Sequence, residues 1–262
     1  MKISFVAAII AIIVLTSCSE YQKVLKSSDY ELKYAKAVEY FDKKDYYRSL
    51  SLLEELMTVY RGTDKAEDIY FRYCYSYYYE EDYILAAYYF ESFTKTFPNS
   101  QYVEEFQFMG AYCHYLNSSH WELDQSSTVK GIEALQFFIN KYPSSTRVEE
   151  ANQLIDKLRA KLERKAYDIS KLYFKLSEYQ AAVITIKNTL NQYPDMKYRE
   201  ELTFLILKSN YLFARNSIET KKKERMQNVV TDYYALLDEY PQSKYLKEAE
   251  KYYTEAVETI KK

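Results

Sequence analysis

Phe97-Pro98-Asn99-Ser100-Gln101-Tyr102 reads as a joint between two helices. A proline cannot continue a helix, because its ring removes a backbone donor and crowds the preceding turn, whereas Asn and Ser cap the next one. Working outward, the other three prolines stand in the same context: Tyr142-Pro143-Ser144-Ser145, Tyr193-Pro194-Asp195-Met196 and Tyr240-Pro241-Gln242-Ser243. They follow at intervals of 45, 51 and 47 residues, and Arg61-Gly62-Thr63-Asp64, 37 residues before Pro98, is the same joint without proline. Composition agrees with the punctuation. The 262 residues hold 3 Gly and 4 Pro against 32 Tyr and 13 Phe, and a sheet protein of this length needs far more Gly and Pro for its turns. The fold class is all-α, arranged as an array of helical hairpins.

The intervals correspond to the tetratricopeptide unit of about 34 residues, lengthened by insertions. With Pro98 at the thirty-second place of such a unit, the small residue of its first helix is Cys74, the aromatic Tyr77, the small residue of its second helix Ala86 and the large apolar one Phe90. The unit ending at Arg61 puts Ala37, Tyr40, Ser49 and Leu53 in those places, and the one ending at Pro194 puts Ser170, Tyr173, Ala182 and Ile186. Small residues are needed where helices cross closely, and large ones fill the space between hairpins. The units ending at Pro143 and Pro241 fit with extra residues between their helices, around Ser118–Thr128 and Asn216–Glu224. The expected architecture is a tetratricopeptide-repeat solenoid of about five hairpins with a C-terminal capping helix from about Ser243 to Lys262. In that helix Tyr245, Ala249, Tyr252, Ala256 and Ile260 recur at helical spacing.

At the N-terminus, Met1-Lys2 precedes Ile3 to Leu15, thirteen residues that are apolar apart from Ser4. That run is short for a bilayer span and right for the core of a secretory signal. Leu15-Thr16-Ser17-Cys18 resembles the lipobox of bacterial lipoproteins, in which the cysteine thiol takes the lipid and becomes the mature N-terminus; an ordinary signal peptide with an incidental Cys18 is the alternative. Several acyl chains together hold a protein stably on a membrane. Residues 1–17 are thus expected to be cleaved, and 18–29 to form a lipidated N-terminus and short linker. Ser19, where an Asp tends to retain lipoproteins at the inner membrane, directs the expectation to the outer membrane, periplasmic face.

The formal net charge of −2 gives no general attraction to nucleic acid. Three cysteines without a CxxC pair, and two histidines, His114 and His120, supply no zinc-site spacing. No Gly-rich phosphate loop and no G-x-S-x-G occur. The reading is a non-enzyme without metal or cofactor, apart from the covalent lipid on Cys18. Cys74 and Cys113 fall where small apolar residues are wanted, so they are expected as buried free thiols.

Tyr70-Phe71-Arg72-Tyr73-Cys74-Tyr75-Ser76-Tyr77-Tyr78-Tyr79 puts rings on every face of one helix, and a core uses only one stripe. The first helix of each tetratricopeptide hairpin lines the concave surface. Counting positions there gives Tyr34 and Phe41 in the first hairpin and Phe71, Tyr75, Tyr78 and Tyr79 in the second. With Gly110 as the small residue, the third contributes Gln107, His114 and Tyr115. Tyrosine offers flat apolar area with one polar tip and little rotamer entropy to lose, which suits a groove for a segment carrying aromatic side chains. His120 and Trp121 lie in the third hairpin's insertion with no assigned role, and Lys221-Lys222-Lys223-Glu224-Arg225 reads as a solvated loop and helix start.

A lipobox, five hairpins with a long third insertion, aromatic-Pro joints, a long helix from Thr146 through about Leu176, a shortened fourth hairpin and a terminal helix together resemble the BamD family, the lipoproteins of the outer-membrane β-barrel assembly machinery. The resemblance implies that the N-terminal hairpins, residues 30–143, recognise the C-terminal segments of unfolded outer-membrane β-barrel proteins. It implies that residues 144–262 bind the periplasmic domain of the barrel-inserting subunit BamA. The chain departs from the family in its tyrosine content and its enlarged fifth hairpin. Two alternatives stay open: a glycan-capturing lipoprotein that partners a transport channel, although such proteins are longer and use several tryptophans, and a cell-wall enzyme on a helical scaffold, although no sequence context singles out a carboxylate pair.

Overall fold

The computed structural model describes residues 20–262; Cys18 and the signal segment lie outside the described residues. A helical stretch over 20–25 precedes eleven helices. Helices α1 (Tyr30–Asp42) and α2 (Tyr46–Val59) form the first hairpin, α3 (Ala66–Tyr79) and α4 (Tyr83–Thr96) the second, and α5 (Val103–Leu116) and α6 (Ser126–Lys141) the third. The fourth pairs the long α7 (Val148–Lys175) with α8 (Tyr179–Gln192), the fifth α9 (Arg199–Arg215) with α10 (Glu219–Glu239), and α11 (Leu246–Lys261) ends the chain. No strand occurs among the described residues. The all-α array of five hairpins and a terminal helix is therefore the one its prolines announce.

The joints behave as one device. Phe97, Tyr142, Tyr193 and Tyr240 end their helices with φ between −135° and −123° and ψ between 63° and 72°, because the proline that follows pushes the preceding residue out of the helical region. Turns within hairpins use other chemistry. Lys44, Glu81 and Ser177 take left-handed backbone, with φ of 62°, 61° and 63°. Next to the first two, the Asp45 and Asp82 carboxylates accept from the amides of Arg48 and Leu85, capping α2 and α4.

The described residues divide into two compact units. The first takes those up to Ser119 together with Asp124–Leu158, and the second takes His120–Leu123 and Arg159–Lys262. In the first unit Phe90, Phe93, Phe106, Phe138, Leu135 and Leu158 are fully buried in one cluster. A second cluster joins Ala37, Leu52, Leu53, Leu56, Ile69 and Tyr73. Tyr21 and Val24 are buried in that cluster too, so the stretch over 20–25 packs on the first hairpin. The second unit is centred on Ala182, Ile186 and Leu202, on Leu207 and Leu236 with Ala249 of α11, and on Met226 and Val229 with Ala256 of the same helix.

The extra residues expected between the helices of the fifth hairpin, at Asn216–Glu224, are instead absorbed as helix. Helices α9 and α10 run to 17 and 21 residues, against 14 in each of α2 to α5. The connection shrinks to residues 216–218. No Gly or Pro interrupts this stretch, and the pairs Lys222–Glu219 and Lys221–Glu224 support its first turns at helical spacing.

Close crossings fall where small residues recur. Ala37, Ala86 and Ala182 are fully buried, and the Ser49 hydroxyl donates to the Ala37 carbonyl at 2.8 Å. Gly131 does the same work in α6, where a Cβ would come within 2.9 Å of Leu158 Cδ1 and 3.4 Å of the Tyr115 amide. Ala86→Leu or Ala182→Leu is expected to overpack its crossing and cost about 1–3 kcal/mol. Thermal melts check this, and unchanged melting in both variants would refute the placement of the crossings.

Candidate functional site

Aromatic rings carried by the first three hairpins touch in series. Phe41 meets Tyr46 edge-on at 5.5 Å, Tyr46 stacks on Tyr79 at 4.4 Å, and Tyr79 lies 5.3 Å from Tyr78 and 5.9 Å from Tyr75. Beyond Tyr75, Phe71 follows at 4.8 Å and leads to Tyr102 at 4.9 Å and Phe106 at 5.4 Å. On α5, Phe108, Tyr112 and Tyr115 stack at 6.0 and 5.8 Å. The Arg147 guanidinium sits 4.5 Å over the Phe108 ring and is near enough to Tyr75 to act on its phenol. Tyr79 is the most open of the expected groove residues, at 47 % exposed, whereas Phe41, Phe71, Tyr78 and Tyr115 are half-buried.

Two expectations are corrected here. Tyr75, expected to line an open groove, is buried in the core against Phe90 and Phe106, with its hydroxyl donating to Glu105 at 2.6 Å. Gln107 and His114 do not join the rings either. Together with Thr94, Lys95, Phe137 and Lys141 they line a separate groove; Lys141 donates to Gln107 at 3.4 Å, and His114 Nε2 lies 3.0 Å from Glu91. The cause is a register one residue out of step. Cys74 stands thirteen residues after Arg61, and thirteen after Pro98 stands Ala111, not Gly110. Gly110 faces α4 instead, where a Cβ would lie 3.2 Å from Glu91 Cγ and 3.6 Å from the Ala87 carbonyl. The equivalents of Phe71 and Tyr75 are therefore Phe108 and Tyr112.

Tyr34 sits apart from the strip. Its hydroxyl donates to Asp68 at 2.8 Å, Asp68 accepts from Arg72 at 2.9 Å, and Arg72 reaches Asp42 and covers the Phe41 ring at 5.1 Å. The contact belongs to a series that the sequence reading missed, although its signal is plain: an acidic residue stands seven places after every joint, at Asp68, Glu105, Glu150, Glu201 and Glu248. Four of these take a proton donor from another helix. Tyr34 serves Asp68, Tyr75 serves Glu105, Tyr167 and Lys171 serve Glu201, and Lys208 serves Glu248. Three of the 32 tyrosines, Tyr34, Tyr75 and Tyr167, serve in these clasps. Burial, with the facing carboxylate, holds the phenols of Tyr34 and Tyr75 above the usual range. Burial alone would raise Glu201, but the bonds from Lys171 and Tyr167 outweigh it and hold the carboxyl below its ordinary value.

Burial pushes the Cys113 thiol up to about 12 and Cys74 well above its ordinary value, so both stay protonated and unreactive. Among the described residues no three His, Cys, Asp or Glu side chains converge as metal ligands, and no helix is long and apolar enough to cross a membrane.

The profile of a family described as outer membrane lipoprotein, YfiO, matches residues 27–224. The outer membrane protein assembly factor BamD of Pasteurella multocida (strain Pm70) is 21% identical over 228 residues, which cover 83% of this chain and 87% of that protein.

Proposed function

This chain belongs to the YfiO family of outer membrane lipoproteins, and on that footing we propose that it is a scaffold of the machinery that assembles β-barrel proteins into the outer membrane. It acts by binding, not by catalysis. Cys18 carries the lipid that holds it on the periplasmic face. The first unit receives the C-terminal segments of unfolded outer-membrane β-barrel proteins, and the second docks on the periplasmic domain of BamA. The similarity to an assembly factor named BamD supports this assignment.

The observation that carries the reading is the ring strip with Arg147 beside it. Aromatic side chains of an incoming terminus pack on Tyr78, Tyr79, Tyr112 and Tyr115, and its carboxylate faces the guanidinium, a charge-assisted contact. Calorimetry with a peptide copied from the aromatic-ended terminus of an outer-membrane barrel tests it. Tyr79→Ala and Tyr115→Ala are each expected to weaken binding by roughly 1–3 kcal/mol, and Arg147→Gln to weaken binding of the free acid but not of the amidated peptide. Co-purification with BamA persists in all three. Unchanged peptide affinity in the folded Tyr79→Ala/Tyr115→Ala variant overturns the assignment.

The anchor has its own test. Cys18→Ala removes the thiol that accepts the lipid, so the protein is expected in the soluble fraction or as uncleaved precursor. Membrane fractionation with mass spectrometry of the N-terminus decides it, and retention with an unmodified mature N-terminus refutes the lipoprotein assignment.

A further inference from the structure

The part of α7 that belongs to the second unit, Arg159 to Lys175, carries six basic residues against Glu163 and Asp168, a net of +4 in a chain whose total is −2. The same stretch is openly apolar. Ile169 is 40 %, Leu172 51 % and Leu176, just past the helix end, 61 % exposed, and their spacing of three and four residues puts them on one stripe. The segment His120–Leu123, in the same unit, folds beside this stripe. Trp121 Nε1 donates to Asp168 at 3.0 Å, the Arg164 guanidinium lies 5.4 Å from the indole centre, and Lys165 donates to the Leu123 carbonyl at 2.5 Å.

Together they border a cavity of about 560 Å³. Its two carboxylates are occupied: Asp168 is held by Arg164 at 2.8 Å, and Glu122 lies 3.4 Å from His120. Lys171 is likewise paired, with Glu201 at 2.8 Å. Lys165 and Lys175 line the cavity with no carboxylate in ion-pair reach among the described residues.

We propose that this surface docks an acidic, amphipathic segment of a partner protein. The apolar side chains of that segment lie on the Ile169–Leu172–Leu176 stripe and enter the cavity beside Trp121, while its carboxylates face Lys165 and Lys175. Charge complementarity selects the acidic partner. The concavity, sized for side chains and walled by fixed ion pairs, favours a peptide over the flat face of a lipid bilayer. The site is separate from the ring strip of the first unit and does not depend on the ligand proposed there.

Trp121 is the single tryptophan of the chain, so its emission reports this cavity alone. The full chain is titrated with two synthetic Glu/Leu peptides containing one Phe, one patterned as an amphipathic helix and one alternating, and with counterparts in which Glu is replaced by Lys or Leu by Ser. At least one acidic amphipathic peptide is expected to give a saturable emission change that added salt weakens, and the counterparts none. Leu172→Ser and Lys175→Glu, at exposed positions, are expected to leave the melt unchanged and to weaken the response about tenfold each. No response to either acidic peptide overturns the proposal. An equal response in folded Leu172→Ser and Lys175→Glu overturns it as well, as does a response to phosphatidylglycerol vesicles alone.

Discussion

Phe106→Ala is expected to lower the unfolding free energy of the first unit by about 3–5 kcal/mol, the upper range for a buried aromatic. Phe106 is fully buried where the second and third hairpins meet. Its ring lies 4.2 Å from Phe93, 4.9 Å from Phe90, 5.4 Å from Phe71 and 5.6 Å from Tyr75. The cost is high because these neighbours are flat rings held by their own contacts, so they cannot collapse into the space left behind. Denaturant unfolding measures it. A loss below about 1 kcal/mol would mean that the two hairpins do not share a core. The variant is also expected to weaken peptide binding, because Phe71 and Tyr75 seat the outer rings.

Alkali should be the second large perturbation. Burial pushes the Tyr70 phenol up to about 12 and holds Tyr73 and Tyr75 higher still, with Tyr77 adding to Tyr73 and Glu105 to Tyr75. In the unfolded chain these phenols titrate near about 10. The folded state therefore keeps protons that the unfolded chain releases. This contribution is complete below a pH of about 10 and is lost as the pH rises through the folded values. At a pH of about 11 the loss is on the order of 1 kcal/mol per ring, several together. Melts at rising pH, with phenolate absorbance recorded alongside, should show melting temperature and native phenol protonation falling together. Tyr73→Phe should soften the slope. A melting temperature level to a pH of about 11 would refute the account.

Local signals made the fold legible, and distance hid parts of the site. Four prolines and one Pro-less joint announced the end of each hairpin, and Ala86 and Ala182 marked crossings without any partner being known. The third hairpin misled because two small residues, Gly110 and Ala111, are adjacent: the glycine answers a close approach to α4, and only the fixed distance from the joint shows that Ala111 is the equivalent of Cys74. Tyr75 could not be told from Tyr78 or Tyr79 because phenylalanine and tyrosine fill core and surface alike; its burial depends on Phe90 and Phe106, which lie on other helices. The acids stand at one fixed spacing, seven places after each joint, and are a local signal like the prolines. That Trp121 meets Asp168, 47 residues later, had no signature in the local pattern.

Tyr21 and Val24, buried on the first hairpin, leave almost no leash. With a lipid on Cys18, only Ser19 and Glu20 separate the anchor from Tyr21 of the packed body, about 10 Å at full stretch. A lipoprotein on a long flexible tether wanders and meets its partners at every angle. The anchor proposed at Cys18 would instead hold the packed body nearly flush with the membrane, leaving the first hairpin little freedom to pivot. Lengthening the segment before Glu20 would then change the angle at which the whole scaffold is presented, while leaving every side chain of its binding faces untouched.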